Sequence, residues 1–195
     1  KIGMLHAPDI VQVVADAIDR HQLGQVVLDP VMIATSGAVL IENEAVQALV
    51  QQLIHRVQLI TPNLDEAGFL VGRTLKNEDD MEAAADQLLG LGALAVLIKG
   101  GHLSGDTVAD LFVSRNAKKW WLRAPRIHSQ NTHGTGCTLS SAIAAHLALG
   151  VPLEQAIEKS HAYIRQALLA GADVRTGAGS GPLNHHSAPV PMHIL

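Results

Sequence analysis

Short runs of Val, Ile and Leu alternate along this chain with longer segments whose apolar residues recur every three or four positions. That alternation is the rhythm of βα units, and it commits the chain to an α/β fold with a mostly parallel central sheet flanked by helices. The runs Ile2–Leu5, Gln25–Leu28, Val57–Ile60 and Leu94–Ile98 read as strands. The last is the most apolar, as suits a central strand covered on both faces. Val108–Val113 and Trp120–Arg123, joined by the polar turn Ser114–Lys118, read as an antiparallel pair at one edge.

The helical segments follow from spacing. Behind Pro8, which suits a first helical turn, Ile10, Val13, Val14, Ala17, Ile18 and His21 predict one buried face. Val46, Leu49, Val50 and Leu53 do the same for a helix over Glu42–His55. Further helices are expected over Leu64–Val71, Glu78–Leu89, Gly134–Leu149 and Pro152–Leu169, with Gly150 and Gly171 where helices usually stop. Residues 172–195, rich in Gly, Pro and His, are expected to be an irregular tail. No repeat or linker divides the chain, so residues 1–195 are expected to form a single domain.

Composition removes several classes of function. The apolar and glycine run Leu88–Ile98 is far short of the roughly 18 residues a membrane span needs, and Lys99 ends it. A formal charge of −4, with no basic run, argues against a nucleic-acid partner. Cys137 is the single cysteine, so there is no disulfide scaffold, and a cytoplasmic location is expected. His185, His186 and His193 lack the spacing of a zinc site, and no P-loop motif is present. The first residue is Lys1, and Lys1–Leu5 reads as the middle of a strand, so a preceding segment is expected.

In an open parallel sheet, ligands bind beyond the carboxyl ends of the strands. Those positions here are Asp29, Thr61–Glu66, Lys99–His102 and His133–Cys137, all polar or glycine-rich. The segment Asn131-Thr132-His133-Gly134-Thr135-Gly136-Cys137-Thr138 stands just before a helix, where glycines and the positive helix end suit an anion such as a phosphoryl group. The same field favours the Cys137 thiolate, so Cys137 is either a base or a small buried side chain. Lys99-Gly100-Gly101-His102 is either a phosphate-approaching loop or an ordinary strand end. Asp29 is either a water-mediated Mg²⁺ ligand or a turn residue, and Thr61–Glu66 either contributes to a site or simply caps a helix.

Together, Lys1-Ile2-Gly3-Met4, Asp29-Pro30-Val31-Met32, Thr61-Pro62-Asn63 with Glu66-Ala67, Lys99-Gly100-Gly101-His102 and Asn131–Cys137 resemble the hydroxymethylpyrimidine/phosphomethylpyrimidine kinases of thiamin biosynthesis, in the ribokinase-like superfamily. The resemblance covers essentially the whole chain. Gly134-Thr135-Gly136-Cys137 is its most specific element, because most sugar kinases of the superfamily carry Asp where this branch carries Cys. It implies a three-layer ribokinase-like fold and transfer of the ATP γ-phosphoryl group to 4-amino-5-hydroxymethyl-2-methylpyrimidine, then to its monophosphate. By this resemblance Cys137 is the general base, and Gly134, Thr135 and Gly136 complete the catalytic anion hole. Asp29 and Glu66 would position Mg²⁺, while Thr61, Asn63, Lys99 and Gly101 would lie near the nucleotide, and Gly3, Met4 and Val31 would line the pyrimidine pocket.

The chain also departs from the family pattern. The family's N-terminal strands, lid and glycine-rich substrate loop have no counterpart here, and Thr35 stands where members often have Lys. The expectation is an exposed sheet edge and a piece that is unstable or nearly inactive alone. Two other readings remain open: a pyridoxine or pyridoxal kinase with the same cysteine loop, and a non-catalytic nucleotide- or pyrimidine-binding module. Relatives of this kind often pair as homodimers.

Overall fold

In a computed structural model, residues 1–32, 40–175 and 177–189 are described. Thr35 and His193 lie outside them. The chain divides into two compact units, Lys1–Arg126 and Ile127–Leu195.

The first unit is built on a sheet of five strands: β1 (Val27–Leu28), β2 (Leu59–Ile60), β3 (Ala95–Ile98), β4 (Thr107–Ser114) and β5 (Lys119–Pro125). They lie in chain order, with β1, β2 and β3 parallel and β4 and β5 antiparallel. The parallel half is joined through helices: α1 is Pro8–Arg20, α2 is Asn43–Ala48, α3 is Leu64–Val71 and α4 is Glu78–Gly90. α2 runs on into a π-helical turn, Leu49–Leu53, so the segment expected as one helix is one rod with a widened end. Of the stripe its spacing predicts, Val46, Leu49 and Leu53 are buried and Val50 is half-buried against the core.

Every residue of β3 is buried, and one apolar core joins Val96 and Ile98 to Leu28, Ile60, Leu88 and Leu111. The hairpin closes where Ser114 N–H donates to Lys118 O, with Ala117 in the left-handed region at φ 59°. Gly100 is required by close approach, since a Cβ there would lie 2.0 Å from the Ala109 carbonyl oxygen.

Two expectations are corrected. Ile2–Leu5 is not a strand; only Ile2 pairs, in a single parallel bridge with Leu28. On α1 the buried residues are Val11, Ala15 and Ile18, whereas Ile10, Val13 and His21 are exposed. A 3.6-residue period admits two overlapping stripes, and the residues packed beneath the helix select one of them.

The second unit contains α5 (Thr135–Ala148) and α6 (Leu153–Gly171), which pack together; their buried residues include Leu139, Ile143 and Leu147 on the first and Ile157 and Ile164 on the second. Gly150, at φ 77°, turns the chain between them. The segment after α6 is irregular yet tied down: Pro182 bridges His133, and Leu183 is buried.

Candidate active site

In the first unit, the carboxyl ends of the three parallel strands meet in a buried charge cluster. Asp29 follows β1, Thr61 follows β2 and Lys99 follows β3, so parallel pairing brings all three to one end of the sheet. Lys99 Nζ donates to Asp29 Oδ1 at 2.7 Å, and Thr61 Oγ1 donates to the same oxygen at 3.1 Å. Lys1 Nζ lies 3.7 Å from Asp29 Oδ2, and Lys99 Nζ lies 3.9 Å from Glu66 Oε2. Asp29 is 1% exposed and Glu66 3%, so water does little to screen them.

Glu66 arrives by local sequence logic. Asn63 Oδ1 accepts from Glu66 N–H at 2.8 Å, and Glu66 Oε2 accepts from Asn63 N–H at 2.8 Å, a reciprocal capping box that starts α3. Asn63 also bridges Lys99, whose N–H donates to Pro62 O at 2.9 Å. Thr61–Glu66 is thus a helix cap and a wall of the cluster at once.

The two acids have opposite protonation behaviour. Burial pushes both upward. For Asp29, the charge and hydrogen bond of Lys99, aided by Lys1 and Thr61, outweigh burial and hold the carboxyl below the usual carboxylate range. For Glu66, burial prevails over Lys99 and the Asn63 N–H, with Asp29 and Asp65 adding to the rise. Carboxyls pushed apart by their surroundings around one shared ammonium are a pattern found where charge must be handled.

Gly3 and Met4 follow Ile2, whose carbonyl accepts from Asp29 N–H at 2.9 Å, and Val31 N–H donates to Asp29 O at 2.8 Å. Val31 thus adjoins the cluster through its own backbone and Gly3 through its neighbour Ile2, while Met4 is 48% exposed. Gly101 is exposed on the loop after Lys99. Two residues that hold this loop are not among the sequence candidates. Asp110, buried on β4, accepts from Gly100 N–H at 2.8 Å. Arg126 donates to the carbonyls of Gly101 at 2.8 Å, Gly105 at 2.7 Å and Leu103. The signal for Asp110 was an acid inside an apolar strand; Arg126 offered none.

In the second unit, Gly134 is the N-cap of α5 with φ 83°, in the left-handed region where glycine is favoured. Thr135 N–H and Oγ1 both donate to Thr132 O, at 3.2 and 2.7 Å. Thr138 N–H and Oγ1 both donate to Gly134 O, each at 2.8 Å. These bonds hold the carbonyls of Thr132 and Gly134 in place, and Gly136 and Cys137 follow in the first turn of α5. Cys137 is exposed, so it is not a small buried side chain. Asn131, 6% exposed, locks the loop: its Nδ2 donates to Gly171 O at 2.6 Å and Val174 O at 2.5 Å, and its Oδ1 accepts from Gly181 N–H at 3.0 Å.

Among the described residues, no three His, Cys, Asp or Glu side chains gather to hold a metal ion, and no helix is long and apolar enough to cross a membrane.

Residues 1–184 match the phosphomethylpyrimidine kinase family. The chain belongs to that family. A curated hydroxymethylpyrimidine/phosphomethylpyrimidine kinase of Rhizobium meliloti is 42% identical over 186 residues, covering 95% of this chain and 69% of the relative. Among solved structures, the ADP complex of Bacillus subtilis pyridoxal kinase superposes with a TM-score of 0.84 at 36% identity, covering 95% of this chain and 68% of that one. A phosphomethylpyrimidine kinase from Clostridium difficile 630 gives a TM-score of 0.72, also at 36% identity, over 86% of this chain and 67% of that one. These neighbours place this phosphomethylpyrimidine kinase family member in the ribokinase-like fold, as the resemblance of its loop motifs implies, and the sheet with its flanking helices is the α/β arrangement that the strand and helix rhythm predicts.

Proposed function

We propose that this family member transfers the γ-phosphoryl group of ATP to the hydroxymethyl oxygen of 4-amino-5-hydroxymethyl-2-methylpyrimidine, and a second phosphoryl group to the resulting monophosphate. The observation that carries this reading is the Lys99 ammonium, held 2.7 Å from Asp29 and 3.9 Å from Glu66 at the carboxyl ends of parallel strands. Phosphoryl transfer needs positioning and charge stabilisation more than covalent chemistry. Lys99 is a half-buried cation beside the strand ends, and a nucleotide phosphate competes for it with Asp29 and Glu66.

In this reading Cys137 takes the proton of the attacking hydroxyl, and the first-turn amides of α5 stabilise charge on the transferring group. Gly3, Met4 and Val31 contact the pyrimidine, while Thr61, Asn63 and Gly101 lie toward the nucleotide. The acids fit Mg²⁺, because that ion keeps several waters and uses one or two carboxylates together with substrate phosphates. Both oxygens of Asp29 already face lysines, so its donor chemistry fits a water-mediated contact, with Glu66 as the second acid. When bound, Mg²⁺ supplies neutralisation of phosphate charge.

The likeness to Bacillus subtilis pyridoxal kinase supports a second substrate, pyridoxal or pyridoxine, by the same chemistry. ADP release measured with each alcohol in turn decides between them: turnover with the pyrimidine alcohol and its monophosphate supports the first reading, and turnover confined to pyridoxal or pyridoxine replaces it. Turnover with neither, together with ATP binding that is indifferent to Cys137→Ala, leaves the binding-module alternative.

A further inference from the structure

Residues 181–185 of the irregular C-terminal segment are fastened to the loop that opens α5. Gly181 donates its N–H to Asn131 Oδ1 at 3.0 Å, and its carbonyl accepts from His133 N–H at 3.2 Å. Pro182 bridges His133. Farther along, His185 Nε2 lies 3.1 Å from Thr138 Oγ1, and the His185 carbonyl accepts from the Tyr163 hydroxyl at 3.4 Å.

A threonine hydroxyl has one hydrogen to give. Thr138 gives it to Gly134 O at 2.8 Å. The contact with His185 is therefore one in which the imidazole donates, so Nε2 carries the hydrogen and Thr138 Oγ1 is the acceptor. The hydroxyl is held from both sides, and the Gly134 carbonyl, which also accepts from Thr138 N–H, is fixed with it.

We propose that His185 is a positioning residue for phosphoryl transfer, acting through Thr138 to hold the left-handed turn at Gly134 from which α5 presents its first-turn amides and Cys137. This role rests on the reading of Cys137 and those amides given under Proposed function. Without the imidazole, the Thr138 hydroxyl loses its second restraint and the turn gains freedom. Amides aimed at a developing charge are sensitive to such freedom, and the effect falls on the transition state more than on ground-state nucleotide binding.

The test is steady-state kinetics with ATP and the pyrimidine alcohol on His185→Ala, His185→Gln, Thr138→Val and the Ala/Val double variant, with long-range ¹H–¹⁵N NMR of the His185 ring in the parent. The expected result is a fall in kcat of about tenfold in His185→Ala and in Thr138→Val with ATP KM within about twofold, and no further loss in the double variant. His185→Gln, which retains an N–H donor, returns kcat to within about threefold of the parent. The NMR pattern is expected to show hydrogen on Nε2. Undiminished kcat in His185→Ala, a loss confined to KM or melting temperature, additive losses, failure of Gln to rescue, or hydrogen on Nδ1 alone overturns the proposal. Cys137→Ala separates the two levels: if it retains turnover, the catalytic reading itself fails, and if it is inactive while His185→Ala is not, only the positioning role fails.

Discussion

Lys99 reaches across 70 residues of sequence to donate a 2.7 Å hydrogen bond to Asp29, whose side chain is 1% exposed while that of Lys99 keeps 15%. Removing one partner of a buried pair leaves the other charge uncompensated, which typically costs about 3–5 kcal/mol. Lys99→Met is therefore expected to destabilise the protein by about 3 kcal/mol and to abolish ATP-dependent turnover. Urea unfolding followed by fluorescence measures the first, and an unchanged midpoint contradicts it.

The two acids give opposite pH signatures. Asp29 has a lowered pKa when folded, so its stabilisation is present above the unfolded carboxylate value, about 4, and is lost as pH falls through the folded value. Glu66 has a raised pKa when folded, so the stability associated with its neutral form is complete below its unfolded value and is lost as pH rises through the folded value. Asp29→Asn is expected to lower stability at pH 7 and flatten the acid limb. Glu66→Gln keeps an acceptor for Asn63 N–H and removes the cost of burying the charged carboxylate above its folded pKa, so stability at pH 7 holds or rises. Denaturant titrations at successive pH values check both signs.

Gly100 and Gly101 stand side by side but differ in tolerance. A Cβ at Gly100 meets the Ala109 carbonyl at 2.0 Å, while nothing lies within 4 Å of one at Gly101. Gly100→Ala is expected to cost about 3 kcal/mol by forcing β3 and β4 apart, and Gly101→Ala less than about 1 kcal/mol. Equal melting temperatures for the two variants refute this difference.

Cys137→Ala is expected to lower kcat by about 10²–10⁴-fold, the usual contribution of a positioned general base, while ADP affinity stays within about threefold. Single-turnover kinetics and calorimetric ADP titration read the two effects separately. Loss of ADP binding in parallel with kcat would instead place Cys137 in nucleotide binding.

Asn131→Ala leaves the carbonyls of Gly171 and Val174 and the N–H of Gly181 without their side-chain partner. The Gly171 and Gly181 groups are buried, and such groups left unpaired cost about 1–3 kcal/mol each, so amide exchange is expected to accelerate first in residues 181–187 and at the start of α5. Uniform exchange across the chain would show that Asn131 does not fasten that segment.

The apolar runs Val57–Ile60 and Leu94–Ile98 identified strands from their composition, because a fully covered strand can be almost wholly aliphatic. Asp29, Lys99, Asn63 and Glu66 were legible for a related reason: a parallel sheet gathers whatever follows each strand, and polar residues there stand out against the runs that feed them. The cap at Asn63 is a local pattern and was readable as such. Gly134–Cys137 was legible as a helix start because glycine and threonine before an amphipathic run have few other uses.

What sequence could not supply was every relation that depends on how distant segments pack. Which stripe of α1 is buried was settled by its neighbours, since Ile10 and Val13 are as apolar as Val11 and Ile18. Asp110 meets Gly100 because β3 and β4 pair antiparallel in one register, and Arg126 finds three carbonyls because the loop at 101–105 folds back over it. The opposite protonation tendencies of Asp29 and Glu66 arise from burial and from the placement of one ammonium, neither of which is a property of residue type. Chain chemistry and periodicity determined the elements and the ends where polar groups collect; hydrogen-bond direction, burial and charge pairing are three-dimensional quantities, and only the tertiary structure decided them.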